Sequence, residues 1–425
     1  MILNKRKSTI YPFKIDPLCF IEQEQDCVSL LNSNSDSKHN ILAWGIDKEL
    51  KLAQCEGAFD KLKQFQSEVQ DWMIGYLSYD LKNDVEQLES SNEDKLDFPV
   101  LHFYVPQLLI EVHKEFTKVE SLINFPQERI DEMMLNAQSS YKLNSTGEVD
   151  ILFHGLNEEE YLMHFSKLAE HIQKGDIYEV NFCLQFYREE IQIDPLATYL
   201  RLNEQTQAPF SVFYRNDQHY ILCGSPERFL KKEGNRILSQ PIKGTIRRGG
   251  NEEEDALLKE QLRNDPKEQG ENVMIVDLVR NDLSRIANKG SVVVDELFGV
   301  HSFKSVHQLI SSITCTVDES KHPVDIIRAA FPMGSMTGAP KIRALQIIEE
   351  NENFKRGVYS GAFGYINPSG DFDFNVVIRS ILYNERKKVL SFPVGGAITA
   401  LANGPDEYHE CILKAKAMKK ALQNN

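Results

Sequence analysis

NEEEYLMHFSKLAEHIQKGDIYEVNFCLQFY, residues 157–187, changes its apolar period from that of a helix to that of a strand at Gly175. Asn157 stands at a cap position, and Glu158, Glu159 and Glu160 fill a first turn where the helix dipole favours negative charge. Tyr161, Leu162, Phe165, Leu168 and Ile172 recur at helical spacing until Gly175 ends the run. IYEVNFCLQFY then alternates as a strand does. An amphipathic helix handing over to a long strand within one short turn excludes a purely helical or purely β chain.

The same two periods recur on either side. DPKEQGENVMIVDLVRNDLSRIA, residues 265–287, opens with Asp265 as cap, Pro266 at the first helical position and Glu268 three residues after the cap, a strong helix start. Strands are expected at 291–299, 306–317, 360–366, 372–383 and 388–394. A helix is expected after Pro340, and PDEYHECILKAKAMKKALQ is expected to close the chain as a helix. Upstream, ILAWGI (41–46), WMIGYLSY (72–79) and VLHFYV (100–105) read as strands between polar connectors, and SSYKLNSTGEVD (139–150) has the composition of a linker. Strands and helices alternate irregularly and without repeats, which favours an α+β fold with large antiparallel sheets over a doubly wound one.

With 425 residues, 41% of them hydrophobic, the chain can bury a large core. Its formal charge of −15 argues against nucleic acid and anionic membranes as partners, because no basic run offsets it. No segment approaches the length of uncharged apolar residues that a membrane span needs. The seven cysteines are odd in number, scattered and never spaced C-x-x-C, which suits reduced thiols and a cytoplasmic location.

Two carboxylate pairs stand out. Glu268 and Glu271, like Glu407 and Glu410, are three apart near a helix start, so each pair shares a helix face. Each pair alone fits a solvated face favoured by the macrodipole. Two such pairs facing one another would repel, and a hard divalent cation such as Mg²⁺ would relieve that repulsion. Lys243, in the glycine-bearing stretch QPIKGTIRRGG (240–250), reads either as a solvated turn lysine or as an amine placed to react.

The segments GDIYEVNFCLQF, GSPERFL, PIKGT, NDPKEQGENVMIVDLVRNDLSRI, SVHQLISSI, SMTGAPKIRALQII, RGVYSGAFGYI, NVVIRSILY and VGGAITALANGPDEYHECILKA follow one another between residues 150 and 420. In this order they resemble the chorismate-utilising enzymes, a family that includes the component I subunits of anthranilate and aminodeoxychorismate synthases and the isochorismate and salicylate synthases. Before residue 150 the likeness is loose, mainly GYLSYDL at 75–81. The resemblance implies an α+β fold of two large antiparallel sheets packed face to face with helices outside. Residues 1–140 would form an α/β part integrated with the core, and residues 150–425 the chorismate-binding catalytic domain.

Carried over residue by residue, the resemblance implies Mg²⁺ held directly by Glu271 and Glu410, with Glu268 and Glu407 holding it through water or supporting the direct ligands. Arg379, Tyr359 and Lys414 would hold the enolpyruvyl carboxylate of chorismate, and Thr337 with the amides of Gly395 and Gly396 its ring carboxylate. Glu227 would be the general acid that protonates the departing C4 hydroxyl, which requires a raised pKa; alternatively it caps the turn after Pro226. His307 matches an active-site histidine; the competing reading is a satisfied core histidine on an alternating strand.

PIKGT is the form that aminodeoxychorismate synthases share, whereas anthranilate synthases usually have alanine at the position of Lys243. The likeness therefore implies a lysine nucleophile that attacks ring carbon C2 before ammonia attacks C4, in a pathway to 4-aminobenzoate and folate. The lysine must be neutral to attack, so burial or nearby cations, Arg247 and Arg248 among them, would have to lower its pKa. Anthranilate synthesis, or chorismate binding without catalysis, is the alternative. Glu179 stands where the isochorismate branch has a lysine base and where aminating members commonly have glutamine. Ala397 and Leu401 replace a common glycine and aspartate, and Met333 departs from the usual PGGS. No glutaminase nucleophile motif is present, so ammonia would come free or from a glutamine amidotransferase partner.

Overall fold

The structure is a computed structural model that describes residues 6–23, 25–35, 38–138, 141, 151–304 and 306–423. The linker expected at 139–150 lies, apart from Tyr141, outside the described residues. In chain order the first strands are β1 (Arg6–Tyr11), β2 (Cys27–Asn32), β3 (Asn40–Leu52), β4 (Met73–Leu77), β5 (Leu101–Val112), β6 (Thr117–Leu122) and β7 (Glu179–Arg188). They are followed by β8 (Phe210–Asn216), β9 (His219–Ser225), β10 (Arg228–Glu233), β11 (Arg236–Gln240), β12 (Ile242–Arg247) and β13 (Val293–Ser302). The last are β14 (Val306–Thr316), β15 (Gly338–Ala339), β16 (Ala362–Ile366), β17 (Phe372–Val376), β18 (Ser380–Asn384) and β19 (Val389–Thr399). The helices are α1 (Leu18–Ile21), α2 (Ala58–Val69), α3 (Lys82–Val85), α4 (Gln127–Asn136), α5 (Glu158–Lys174) and α6 (Pro195–Thr206), then α7 (Glu252–Arg263), α8 (Pro266–Ser284), α9 (Pro323–Ala330), α10 (Lys341–Asn351) and α11 (Gly404–Gln423).

The helix and strand of 157–187 form as their periods dictate. Asn157 accepts a hydrogen bond from the Glu160 amide while the Glu160 carboxylate accepts from the Asn157 amide, closing a capping box, and Gly175 ends α5 in the left-handed region. β7 is buried over most of its length because both its faces are covered.

Every strand pairing is antiparallel. One sheet runs β15-β7-β19-β18-β9-β8-β2-β3-β5-β6-β1, and the other β4-β16-β17-β10-β11-β14, with β12 and β13 also on β14. They branch at β5: β3 covers one of its edges, while β4 takes Leu101–Tyr104 and β6 takes Leu108–Val112 along the other. Residues of the first third thus pair with later strands in both sheets, β2 with β8 and β4 with β16.

Alternation along the strands divides the core. On β8, Val212 and Tyr214 point between the sheets and Phe213 points to the helices, and on β9 Ile221 and Cys223 oppose Leu222 in the same way. Between the sheets Tyr214 meets Tyr76 and Phe363 edge to face, with centroids 5.6 Å apart in both pairs. The outer face of the first sheet is covered by α4, α5, α6, α10 and α11, and α2, α8 and α9 pack with the second sheet. This is the α+β architecture of two antiparallel sheets packed face to face with helices outside.

One expected strand, 372–383, is two. β17 pairs in the second sheet with β10 and β16, β18 in the first with β9 and β19, and the chain crosses between the sheets at residues 377–379. Arg379 makes the crossing with φ +53°, a backbone conformation no continuous strand contains.

Candidate active site

At this crossing lies a cavity of about 830 Å³. Its wall is drawn from β12, the start of α8, the β9–β10 connection, the Tyr359 and Arg379 turns, β19 and the start of α11. Most of the residues singled out in the sequence meet here.

Lys243 is not in a turn. It lies on β12, and a bulge makes Gly244, at φ +80°, the extra residue between Lys243 and Thr245 opposite β14. Its Nζ lies 2.9 Å from Glu179 Oε1 and 3.8 Å from Glu271 Oε2. Burial pulls its pKa down, but Glu179 and Glu271 outweigh burial and leave it above the usual lysine range. Lys243 is therefore an ammonium in this state. Arg247 and Arg248, expected to depress its pKa, turn instead to Glu254 and Asp255. Glu179 is buried, and its Oε2 has no hydrogen-bond partner.

Glu227 lines the cavity from the connection after Pro226 and is 4% exposed. Burial pushes its carboxyl up to about 7, against the opposing pulls of Ser335 and Lys243. A carboxyl so tuned is protonated near neutral pH and can donate.

Asp265 caps α8 by accepting from the Lys267 and Glu268 amides, which puts Glu268 and Glu271 on its first turns facing the cavity. Glu407 and Glu410 face it from the first turns of α11. The two pairs converge on one space. Lys267 reaches across, 2.6 Å from Glu407 Oε1 and 3.8 Å from Glu271 Oε1, and Lys414 lies 2.7 Å from Glu410 Oε1 and donates to the Gly395 carbonyl. Burial and the charge of Glu410 raise the Glu268 pKa, and burial raises Glu271 to about 7, with Lys243 opposing and Glu268 and Glu179 adding. Burial and Glu410 also raise Glu407 against Lys267, whereas Lys414, Lys267 and Lys243 outweigh burial and lower Glu410. Four converging carboxylates are a donor set of hard oxygens, and a hard divalent cation fits their chemistry.

Tyr359, buried, and Arg379, half-buried, also line the cavity, and an Arg379 Nη donates to the Lys414 carbonyl. Gly395 is needed where it stands: a Cβ there would come within 2.5 Å of Cys183 Sγ and 2.7 Å of the Phe182 carbonyl of β7. A Cβ on Gly396 would sit 3.3 Å from Glu407 Oε2, so the glycine pair runs beneath the α11 carboxylates. Ala397 contributes its methyl group to the lining.

Two candidate site residues, His307 and Thr337, lie off the cavity, and so does Leu401, noted in the sequence only as a departure from the family pattern. His307 is fully buried away from the cavity, its Nδ1 on Ser302 Oγ and its Nε2 on Asp255, while its neighbours Val306 and Gln308 line the cavity; strand alternation turns the histidine to the opposite face. Thr337 is also buried off the cavity, its hydroxyl donating to the Met333 and Gly334 carbonyls of its own turn. Leu401 is 76% exposed in the turn before α11 and lines nothing here. Conversely Lys267 and Ser335 were missed. Lys267 could have been found from its i, i+4 spacing to Glu271, but Ser335 carries no signal apart from its segment.

A family model described as chorismate binding enzyme matches residues 24–420, and the chain belongs to that family. It is 35% identical over 415 residues to the chloroplastic aminodeoxychorismate synthase of Arabidopsis thaliana, an alignment covering 92% of this chain and 45% of the plant protein. To aminodeoxychorismate synthase component 1 of Escherichia coli K12 it is 34% identical over 354 residues, covering 82% and 76% of the two chains. The fold superposes on anthranilate synthase component I from Streptococcus pneumoniae TIGR4 with a TM-score of 0.75 at 26% identity, covering 90% and 92%. The chain spans less than half the length of the plant relative. Among the described residues no helix is long and apolar enough to cross a membrane.

Proposed function

We propose that this chain is the chorismate-converting component of an aminodeoxychorismate synthase, forming 4-amino-4-deoxychorismate and water from chorismate and ammonia on the way to 4-aminobenzoate and folate. The observation that carries the reading is a buried lysine amine, Lys243, sharing one cavity with a carboxyl tuned to about 7, Glu227.

In this reading chorismate, a dianion, enters an acidic protein where Arg379, Lys414 and Lys243 concentrate positive charge. Arg379 and Lys414 hold the enolpyruvyl carboxylate beside Tyr359, and the ring carboxylate lies toward Gly395, Gly396 and the four glutamates. Glu268, Glu271, Glu407 and Glu410 hold Mg²⁺, which supplies charge neutralisation for that carboxylate. Binding also requires Lys267 and Lys414 to give up their present hold on Glu407 and Glu410.

Lys243 must shed a proton before it can attack, and Glu179 Oε1, 2.9 Å away, is the acceptor at hand. The neutral amine then bonds to ring carbon C2, both ring double bonds shift, and the C4 hydroxyl leaves as water with the proton of Glu227. Ammonia next bonds to C4, both double bonds shift back, and the C2–N bond to Lys243 breaks. A glutamine amidotransferase partner supplies that ammonia, a proposal supported by the "component 1" name of the E. coli relative.

Incubating the chain with chorismate, Mg²⁺ and ammonium and identifying the product tests the reading. 4-Amino-4-deoxychorismate is expected. Anthranilate with released pyruvate would replace the reading by the activity named for the S. pneumoniae protein, and chorismate bound but unchanged would make this a binding subunit.

A further inference from the structure

Among the described residues one group of ligand-type side chains has its donor atoms all within 4.8 Å of one another, and it is not in the active site: His39, Glu111 and His113. It arises from strand register. β3 and β5 pair with Asn40 opposite Val112 and Ile41 opposite Glu111, so His39 continues the ladder opposite His113, and Glu111, two residues back, shares its face. Lys118, opposite Glu111 on β6, lies 2.9 Å from Oε1 of the carboxylate. The other oxygen, Oε2, is the one both imidazoles approach, at 3.6 Å from His39 Nε2 and 3.4 Å from His113 Nε2. The rings are oriented by stacking: His39 on His113 with centroids 4.7 Å apart, and His113 on Phe116 at 4.2 Å.

Ligands about 2.0–2.1 Å from a tetrahedral ion stand about 3.3–3.4 Å from one another. The two distances to Glu111 Oε2 are already close to that edge. We propose that His39, Glu111 and His113 form a second metal site, selective for a borderline divalent ion of the zinc, cobalt or nickel class, with its fourth position open to solvent. Two imidazoles and one carboxylate prefer such ions to Mg²⁺, which the oxygen-only donors of the active site favour. Bound metal would clip the start of β3 to the end of β5. His39 stands on the rim of a separate cavity of about 340 Å³ that shares no lining residue with the active site, so the clip acts away from the chemistry.

The test titrates the full chain with Co²⁺ and then Zn²⁺ in saturating Mg²⁺, so that the active-site carboxylates do not compete. One Co²⁺ per chain is expected, with the absorption of a nitrogen and oxygen ligand set. His39→Ala, His113→Ala and Glu111→Gln should each weaken binding by about 10-fold or more, and the double histidine variant should abolish it without altering chorismate turnover. Zn²⁺ should raise the Tm of the unaltered chain and leave that of the double variant unmoved. Equal affinity in the unaltered and double-variant chains, thiolate-to-cobalt charge-transfer bands, or no binding would each overturn the proposal. Equal metal-free Tm values for the two chains show that lost binding is not lost folding.

Discussion

Lys243 and Glu227 show how one cavity raises the pKa of two titratable groups for different reasons, keeping one charged and leaving the other neutral. Lys243 is buried yet charged, because Glu179 and Glu271 stand beside it; Glu227 is buried and neutral, because burial outweighs Lys243 and Ser335. Lys243→Ala should reduce 4-amino-4-deoxychorismate formation from ammonium by at least about 10³-fold. Mass analysis of the unaltered enzyme, quenched during turnover, should find the ring skeleton on Lys243. Glu227→Gln should slow product formation by about 10²–10⁴-fold and remove the loss of activity as pH rises through about 7. The same carboxyl links to stability. Its folded-state pKa lies above the unfolded value of about 4.3, so the folded chain holds its proton longer and is destabilised as pH rises across that window, by roughly 4 kcal/mol. Urea unfolding at about pH 5 and about pH 8 should show Glu227→Gln losing less stability than the unaltered protein between the two.

The helices carry the site because their starts are fixed. Asp265 caps α8, so Glu268 and Glu271 fall on its first turns; α11, whose first turns bear Glu407 and Glu410, is braced by α5 through Tyr161 and Tyr408, with ring centroids 5.4 Å apart. Glu271→Gln or Glu410→Gln should raise the Mg²⁺ concentration for half-maximal product formation by about 10-fold or more, read from a metal titration of the rate. Asn157→Ala opens the capping box of α5 and should cost about 1 kcal/mol, measurable as a lower urea midpoint. The helix starts were legible because capping is local: Asn157, Asp265 and Pro266 announce themselves. α6 carries the same Asp-Pro opening at Asp194 and Pro195.

At the scale of the molecule, the branch at β5 lets one chain build two sheets and open a cavity where it passes between them. Gly75 of β4 faces β5 at that branch, and a Cβ there would lie 1.9 Å from the His102 carbonyl, a backbone atom with nowhere to go. Gly75→Ala should cost about 3 kcal/mol or more. Gly175→Ala, at the open end of α5 with nothing within 4 Å, should cost about 1 kcal/mol, the price of a left-handed backbone alone. Unfolding midpoints of the two variants compare packing with backbone strain directly. By itself the sequence determined the periods, the caps, the antiparallel character of the sheets and the residue types of the cavity, because each is written in neighbours a few positions apart or in segments met in order. Only the tertiary structure decided the break at Arg379, the turning of His307 away from the cavity and onto Asp255, the pairing of Lys243 with Glu179, and the gathering of His39 with Glu111 and His113. Those depend on which strands lie side by side and in what register, and contacts between residues tens to hundreds of positions apart leave no local pattern to read.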